Sequence, residues 1–437
     1  MTSKQEISIF WFRRDLRIDD NAGLYHSLKN NENVLPLFIF DTDILDRLEN
    51  KKDKRVEFIH LALLELQKTI SESGSSLLVL KGNTLEIFSD LIKKYTVKNI
   101  YTNTDYEPSA LERDFKIDAL AKKNDIAFYS FKDQVIFEKA EILKDDGLPY
   151  TIFTPFMRKW KAKLTSNYLK PYPTKKYISH FFKTNLIPIP TLKEIGFNQT
   201  GIKFSLPAVN EKLISGYHET RNFPATEGTS RLSVHLRFGT ISIRQLASTA
   251  QSLNDQWLNE LIWREFYMVI LFHFPHVVTG SFKKQYDNIK WLNNEEQFER
   301  WCKGETGYPI VDAGMRELNA TGFMHNRVRM ITASFLVKHL LIDWRWGEAY
   351  FAEKLMDYDL SANNGGWQWA ASSGCDAAPY FRVFSPDAQT LRFDSRFEYI
   401  RKWVPEFEEL TYPQPIVDHK FARERVLATF KKALEKK

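Results

Sequence analysis

Cysteine is scarce in this chain: Cys302 and Cys375 are the only two among 437 residues. Two isolated cysteines cannot build a disulfide framework, and their separation argues against a structural zinc site. No uninterrupted apolar stretch reaches about 18 residues, which argues against a membrane span. A basic-then-apolar leader is also lacking before the first predicted strand, so we expect a cytoplasmic protein.

The glycine-rich fingerprint GxGxxG is a further absence, since it follows none of the predicted strands and a Rossmann-type dinucleotide site is therefore not expected. Aromatic residues, by contrast, make up 14% of the chain, with eleven tryptophans. Eight tryptophans fall between residues 257 and 369, a cluster that alone is more typical of a helical core than of a site. The formal net charge of +6 is weak support for a polyanionic partner.

Short apolar segments rich in β-branched and aromatic residues alternate with amphipathic stretches over the first 131 residues. In the clearest amphipathic stretch, apolar side chains from Val56 to Ile70 recur at steps of three and four, and Gly74 follows as a candidate helix C-cap. Strand–helix alternation predicts an α/β amino-terminal domain with a doubly wound parallel sheet. The predicted strands are residues 7–12, 34–40, 77–80, 99–102 and 126–131.

Seven prolines break the next segment, and residues 132–215 are predicted to be an interdomain linker on the surface. From residue 216 to 437 the helical period dominates, which predicts an all-helical domain. Its expected helices include residues 258–272, 313–341 and 347–356.

A glycine, two hydroxyl residues and an arginine stand together at residues 228–231, before an apolar run. Backbone N–H groups and a cation at a helix start can bind phosphate, although a plain N-cap is the commoner meaning. Further along, Trp257, Glu260 and Trp263 recur at steps of three, on roughly one helical face. A carboxylate between two indoles is poor core material, so this face favours a site that stacks a flat ring.

Two more segments combine polar and aromatic residues. Residues 324–330 read MHNRVRM, and their two arginines are either salt-bridged supports or phosphate contacts. Residues 363–369 read NNGGWQW and follow Asp357 and Asp359. We expect their asparagines and glycines to force a tight turn that permits close approach to a ligand.

Together with the WFRRDLR run at residues 11–17 and the GYPIVDA run at 307–313, these segments resemble the photolyase/cryptochrome family over nearly the whole chain. The resemblance implies FAD in the helical domain and damaged DNA with a flipped-out lesion as partner. It also implies an ion pair between Arg329 and Asp357. The residues matching the family's FAD contacts are Tyr217, Thr229, Ser230, Arg231, Leu232, Ser233, Trp257, Arg264, Arg329, Asp357, Asp359 and Asn363, the last facing flavin N5.

The family also implies residues for lesion contact and electron transfer. Glu260 matches the carboxylate that hydrogen-bonds a pyrimidine dimer. Trp367, Trp344 and Trp291 match a relay that carries electrons from the surface to the flavin. The remaining lesion or DNA contacts implied are Trp263, Asn326, Arg327, Met330, Trp369 and Gln389.

Asn326 and Met330 stand where (6-4) photolyases have histidines, so the resemblance favours light-driven repair of cyclobutane pyrimidine dimers by a monomeric lyase. The segment around Asp105 lacks the Asn-Glu pair of folate-using members and looks more like deazaflavin-type members. The antenna chromophore is therefore left open between deazaflavin-type, folate and none. A cryptochrome photoreceptor without repair activity and a single-strand repair enzyme remain alternatives.

Overall fold

The computed structural model describes residues 4–435, and the chain forms two compact units. The first unit contains the residues before Lys139 together with 164–209 and 232–249; the second contains 139–163, 210–231 and the residues from Ala250 onward. The units and the predicted domains differ in two places. The expected linker is shared between both units, and residues 232–249 belong to the first.

The core of the first unit is a five-stranded sheet in the order β3-β2-β1-β4-β5, with every neighbouring pair parallel. Inward-facing Ile9, Trp11, Leu37 and Ile100 are almost fully buried, because helices cover the sheet. The predicted α/β fold class is confirmed. The strands are β1 (Glu6–Phe12), β2 (Val34–Asp41), β3 (Leu78–Gly82), β4 (Thr96–Asn103) and β5 (Ala127–Phe131).

Helices alternate with the strands and then dominate the rest of the chain. Those up to residue 253 are α1 (Ala22–Asn30), α2 (Thr42–Leu45), α3 (Lys54–Ser71), α4 (Thr84–Lys94), α5 (Pro108–Lys123), α6 (Phe153–Lys163), α7 (Glu211–Ser215), α8 (Tyr217–Thr220), α9 (Ser233–Phe238) and α10 (Ile243–Leu253). The remainder are α11 (Asp255–His273), α12 (Glu295–Lys303), α13 (Pro309–Thr321), α14 (Asn326–Ser334), α15 (Trp344–Lys354), α16 (Leu360–Ala370), α17 (Pro386–Phe393), α18 (Glu398–Trp403) and α19 (His419–Glu435).

Two sequence-based helix predictions are wrong in detail. Helix α3 ends at Ser71 with Glu72 as its C-cap, so Gly74 lies beyond the cap, in a left-handed turn. The single helix expected over residues 313–341 is divided into α13, α14 and a π-helical turn. Gly322, in the left-handed conformation, ends α13, and His325 caps α14 by accepting from the backbone N–H of Arg327.

The tight turn expected at residues 363–369 is also wrong, because these residues lie inside helix α16. Asp359 caps the helix by accepting from the backbone N–H groups of Ser361 and Ala362. The asparagines do not break the helix because their side chains bond outward: Asn364 donates to the carbonyl oxygen of Val277 at 2.9 Å. A Cβ at Gly365 would overlap the ring of Tyr267, so this glycine permits close helix packing.

Candidate functional site

One face of α16 combines an amide, an open surface and an indole. Asn363, Gly366 and Trp367 share this face at helical spacing. A Cβ at Gly366 would meet nothing within 4 Å. The indole Nε1 of Trp367 is buried and has no acceptor among the described residues. An open helix face beside an unsatisfied donor suits a flat ligand with acceptor atoms.

The predicted ion pair between Arg329 and Asp357 is present. The guanidinium nitrogen Nη2 of Arg329 lies 2.9 and 3.1 Å from the two carboxylate oxygens of Asp357. The Nε of the same arginine donates to the backbone oxygen of Met324 at 2.8 Å. The pair therefore links α14 to the segment just before α16.

Glu260, on α11, is held by two side chains. Nη1 of Arg221 lies 2.5 Å from its carboxylate, and Gln256 donates to the same oxygen at 3.1 Å. The Arg221 guanidinium also lies 5.4 Å from the ring centroid of Tyr217. Burial, and then the Glu260 charge, raise the pKa of Tyr217, so its hydroxyl stays protonated. Tyr217 and Glu260 therefore lie close together, on either side of the Arg221 guanidinium.

Trp263 and Trp369, the two predicted lesion-stacking indoles, have different environments. The ring of Trp263 is stacked on Phe153, with centroids 3.6 Å apart and an interplanar angle of 7°. Trp369 is half-buried and lies 6.4 Å from Phe384, centroid to centroid. Trp369 also lines a small pocket between α11 and α16, with Tyr267 and Cys375 among its other walls.

A group of arginines surrounds Arg327. Its guanidinium lies 4.3 Å from the ring centroid of Phe393, and that of Arg392 lies 5.2 Å from the same ring. Burial lowers the pKa of Arg327, and the charges of Arg221, Arg392 and Arg382 lower it further. Such a concentration of positive charge favours a polyanion.

The remaining α14 and α17 positions differ in exposure. Asn326 is exposed, whereas Met330 is half-buried and accepts a weak hydrogen bond from Arg327. Gln389 is half-buried on α17.

The three predicted relay tryptophans belong to one hydrophobic cluster of the second unit. Trp367 and Trp344 lie in its buried part, and Trp291 packs against it while partly exposed. Trp367 and Trp344 are equally buried, and of the three only Trp291 is partly exposed.

The remaining predicted FAD contacts are less tightly grouped. Trp257 is buried on α11, and Arg264 is half-buried on the same helix. Thr229 and Ser230 are half-buried, and Arg231 is exposed with a left-handed backbone, its guanidinium 4.6 Å from the ring centroid of Phe323. In the first unit, Leu232 is buried and Ser233 begins α9, with no side-chain cap.

Several residues of this region were missed by the sequence analysis. Arg221 lies one helical turn after Tyr217, a spacing that could have indicated it. Glu348 accepts from Asn363 across 15 residues, and Tyr267, Arg382 and Arg392 carry no motif. Only the folded chain brings these residues to the predicted ones.

Two family models match the chain: DNA photolyase over residues 8–176, and the FAD binding domain of DNA photolyase over residues 257–411. The deoxyribodipyrimidine photo-lyase of Escherichia coli is 38% identical, with 97% of this chain and 98% of the relative covered. That of a Synechococcus species is 37% identical over 97% of this chain and 96% of the relative. This chain belongs to the DNA photolyase family.

Solved photolyase structures agree with this assignment. A bacterial class III photolyase from Agrobacterium tumefaciens has a TM-score of 0.87 at 31% identity, covering 99% of this chain and 98% of the other. An archaeal photolyase from Sulfolobus tokodaii, crystallised with two FAD molecules, has a TM-score of 0.85 at 34% identity, covering 98% of this chain and 100% of the other. The predicted family and FAD cofactor are confirmed, since residues 257–411 form a photolyase-type FAD-binding domain.

The residues present fit FAD. The open face at Gly366 leaves room for a flat ring, Asn363 lies beside it, and the buried Nε1 of Trp367 has no partner among the described residues. Among residues 4–435, no helix is long and apolar enough to cross a membrane.

Proposed function

We propose that this protein splits cyclobutane pyrimidine dimers in DNA in a light-driven reaction. Full-length similarity to proteins named deoxyribodipyrimidine photo-lyase supports this proposal most strongly. When bound in its reduced form and excited by light, FAD supplies one electron to the dimer and recovers it after the ring has split. The residues of this chain then have to bind the cofactor, hold the lesion and supply electrons.

For cofactor binding, we assign the adenine and flavin ends to Asp357, Asp359 and Asn363, with Arg329 fixing Asp357 in place. The ion pair at 2.9 Å supports this role because it restrains both side chains before the cofactor enters. Tyr217 and residues 229–233 are assigned to the phosphates and ribityl chain, with Trp257 and Arg264 beside them. Backbone N–H groups and Arg231 supply the required donors and charge.

For the lesion, we assign Glu260 as the hydrogen-bonding carboxylate and Trp263 and Trp369 as stacking surfaces. Arg221, 2.5 Å from Glu260, adds positive charge where the dimer carbonyl oxygens would become negative. Flipping a dimer out of the duplex costs less than flipping a normal base, since the lesion already weakens pairing and stacking.

We assign the arginines around Arg327 to contacts with the DNA backbone. Asn326, Met330 and Gln389 are assigned to contacts with the lesion or the neighbouring DNA. Electrostatic contacts of this kind depend on salt and position the duplex without reading its sequence. We further propose that the protein is a cytoplasmic monomer, with the antenna chromophore left open.

For electron supply, we assign Trp367, Trp344 and Trp291 to a path from the surface to the flavin. Indole can be oxidised reversibly, and their membership of one packed cluster supports short hops.

A direct test uses the purified protein, with its flavin reduced chemically, and an oligonucleotide containing one thymine dimer. We expect a flavin absorption spectrum, dimer splitting in light and none in the dark, and the mass of one chain by light scattering. A colourless protein would contradict FAD binding. A flavin-containing protein that responds to light without splitting dimers would support the photoreceptor alternative. Single- and double-stranded substrates compared side by side would settle strand preference.

A further inference from the structure

The indole of Trp263 is covered on one face by another ring. The ring of Phe153 lies nearly parallel to it at 3.6 Å between centroids, and Phe153 is only 7% exposed. The rings of Phe266 and Tyr267 lie 5.6 and 5.5 Å from that of Trp263, at interplanar angles of 81° and 33°. Because Trp263 is only half-buried, the exposed part of its indole lies on the face away from Phe153 or at an edge. A flat ligand can therefore stack on Trp263 only from the side opposite Phe153.

Phe153 is held in place by the packing of α6 against α11. It is the first residue of α6, and its ring meets that of Phe266 edge-on at 5.9 Å. About one turn further along α6, Phe156 is fully buried, and its ring lies 5.2 Å from that of Phe266. The indole Nε1 of Trp160 donates to the Glu265 carboxylate at 2.6 Å. These contacts anchor α6 on α11 and make Phe153 a fixed backing for the indole.

Asp376 adds a polar contact to the first residue of α6. Its carboxylate oxygen Oδ2 accepts from the backbone N–H of Phe153 at 3.0 Å, across 223 residues of sequence. The N–H groups in the first turn of a helix have no partner within the helix, and the positive end of the helix dipole lies there, so a carboxylate suits this position. Asp376 also lines the small pocket that Trp369 lines. One side chain thus connects the backing of Trp263 to the surroundings of Trp369.

The loop that follows α16 and carries Asp376 is itself anchored. The backbone N–H of Gly374 donates to the carbonyl oxygen of Gln368, inside α16, at 3.0 Å. The ammonium of Lys338, which is almost completely buried, donates to the hydroxyl oxygen of Ser372 at 2.9 Å. These bonds hold the loop, and with it Asp376, against the end of α16.

We propose that Phe153 and Asp376 are positioning residues for the lesion and act through Trp263. Phe153 keeps the indole in its stacking position, and Asp376 keeps Phe153 fixed relative to the helix that carries Trp369. The inference rests on the proposed function, because it requires Trp263 to stack on a flipped-out dimer. An indole that is already held in place loses little freedom on binding, so more of the stacking energy contributes to affinity. Undamaged DNA presents no flipped-out base to Trp263 and gains nothing from this arrangement.

The test compares Phe153→Leu with Phe156→Leu, the same change at a buried position of the same helix whose ring neighbours are Tyr150 and Phe266. We expect Phe153→Leu to weaken binding of an oligonucleotide with one thymine dimer about three- to tenfold, the effect of one aromatic stack, and to leave binding of the undamaged oligonucleotide unchanged. Phe156→Leu should bind both oligonucleotides as the unmodified protein does. The number of dimers split per photon at saturating DNA should stay equal in both variants, because neither residue is assigned to the flavin or to the dimer carbonyl oxygens.

The contribution of Asp376 is tested by a pair of substitutions. Asp376→Ala removes the acceptor for the backbone N–H of Phe153, whereas Asp376→Asn keeps an oxygen that can accept it. We expect Asp376→Ala to weaken dimer binding about two- to fivefold, as loss of one hydrogen bond would, and Asp376→Asn to recover most of that loss.

A loss of dimer binding in Phe153→Leu no larger than that in Phe156→Leu would overturn the role of Phe153, and full dimer binding by Asp376→Ala would overturn that of Asp376. Because Phe153 is buried, flavin content and thermal stability are measured for every variant, while Asp376→Ala tests the same positioning at a half-buried residue. If the unmodified protein binds damaged and undamaged oligonucleotides equally, the proposed function fails and this inference fails with it. A preference for the dimer that Phe153→Leu and Asp376→Ala both retain in full overturns this inference alone.

Discussion

Asn363 donates its side-chain amide to Glu348 twice, to the backbone oxygen at 3.0 Å and to the carboxylate oxygen at 2.8 Å. Both donor positions of the amide are thereby used, so the carbonyl oxygen of Asn363 is the atom left for a ligand. Burial raises the pKa of Glu348, and the hydrogen bond from Asn363 opposes that rise. Glu348 is thus a positioning residue for Asn363.

The first prediction concerns this pair. Asn363→Ala should retain FAD but speed air reoxidation of the reduced flavin about fivefold, since one net hydrogen bond contributes about 1 kcal/mol. Glu348→Gln should have a smaller effect in the same direction, because Gln can also donate and the amide of Asn363 is then free to turn over. Stopped-flow recovery of flavin absorbance measures both. A reoxidation rate unchanged in Asn363→Ala would remove Asn363 from the flavin edge.

The second prediction uses two adjacent glycines as a matched pair. Gly365→Ala should destabilise the apo-protein by about 1–3 kcal/mol, because its Cβ would overlap the ring of Tyr267. Gly366→Ala should leave apo-protein stability equal or up to about 1 kcal/mol higher, because alanine favours the helix. Gly366→Ala should nevertheless weaken FAD binding, because its methyl group would enter the open space that we assign to the flavin. Urea unfolding measures the effect on stability, and FAD titration measures the effect on affinity. If Gly366→Ala binds FAD as tightly as the unmodified protein, the flavin does not lie against Gly366.

The helix that contains these glycines shows what sequence reasoning could not reach. The parallel sheet was predictable because each buried strand is a short apolar run, and all five observed strands overlap the predicted ones. The NNGGWQW segment was misassigned because glycine and asparagine have poor helix propensity. Tertiary contacts override that propensity: Asn364 bonds to Val277, and Gly365 accommodates Tyr267.

The candidate site also contains residues that the sequence could indicate and residues that it could not. Glu260, Trp263, Asn326 and Asn363 could be selected from residue type, spacing and family resemblance. Their partners were harder to select, because only the spacing from Tyr217 points to Arg221, and Glu348 stands 15 residues before Asn363 in no motif. The polar pairings depend on how the helices pack, which no local pattern encodes.

The third prediction concerns Glu260 and its partner Arg221. Glu260→Ala should lower the number of dimers split per photon while FAD stays bound, because the carboxylate is assigned to the lesion and not to the cofactor. Arg221→Ala should also lower this yield, because its charge is assigned to the dimer carbonyl oxygens, and it should reduce the salt dependence of DNA binding because one positive charge is lost. Quantum yield at saturating DNA and binding titrations at two salt concentrations make the comparison. If Glu260→Ala keeps the full yield, Glu260 does not have the assigned role.

The fourth prediction concerns the Arg329–Asp357 ion pair. Arg329→Ala should destabilise the apo-protein by about 2–4 kcal/mol, since it leaves the buried Asp357 carboxylate without its cation. Arg329→Lys should recover only part of this, because lysine cannot form the same two contacts while bonding Met324. Denaturant unfolding of both variants without FAD measures the effect, and FAD affinity should fall in the same order. Equal stability of Arg329→Ala and the unmodified protein would reduce the pair to an incidental contact.

The fifth prediction is a pH dependence that arises at His325, the N-cap of α14. Its Nδ1 accepts from the backbone N–H of Arg327 at 3.1 Å, and its Nε2 is buried with no partner in the described chain. Burial, followed by the charges of Arg327, Arg329, Arg231 and Arg221, lowers its pKa from 6.5 to about 4.

Because this folded-state pKa lies below the unfolded one, the unfolded chain takes up the proton first as pH falls. The contribution of His325 to stability is therefore complete above pH 6.5 and is lost as pH falls toward 4. His325→Asn keeps an N-cap acceptor, so it should flatten the pH profile of the unfolding free energy by on the order of 3 kcal/mol at pH 4. His276→Asn, at an exposed position, is the matched control and should leave the profile unchanged. A His325→Asn profile as steep as that of the control would show that folding does not lower the pKa of His325.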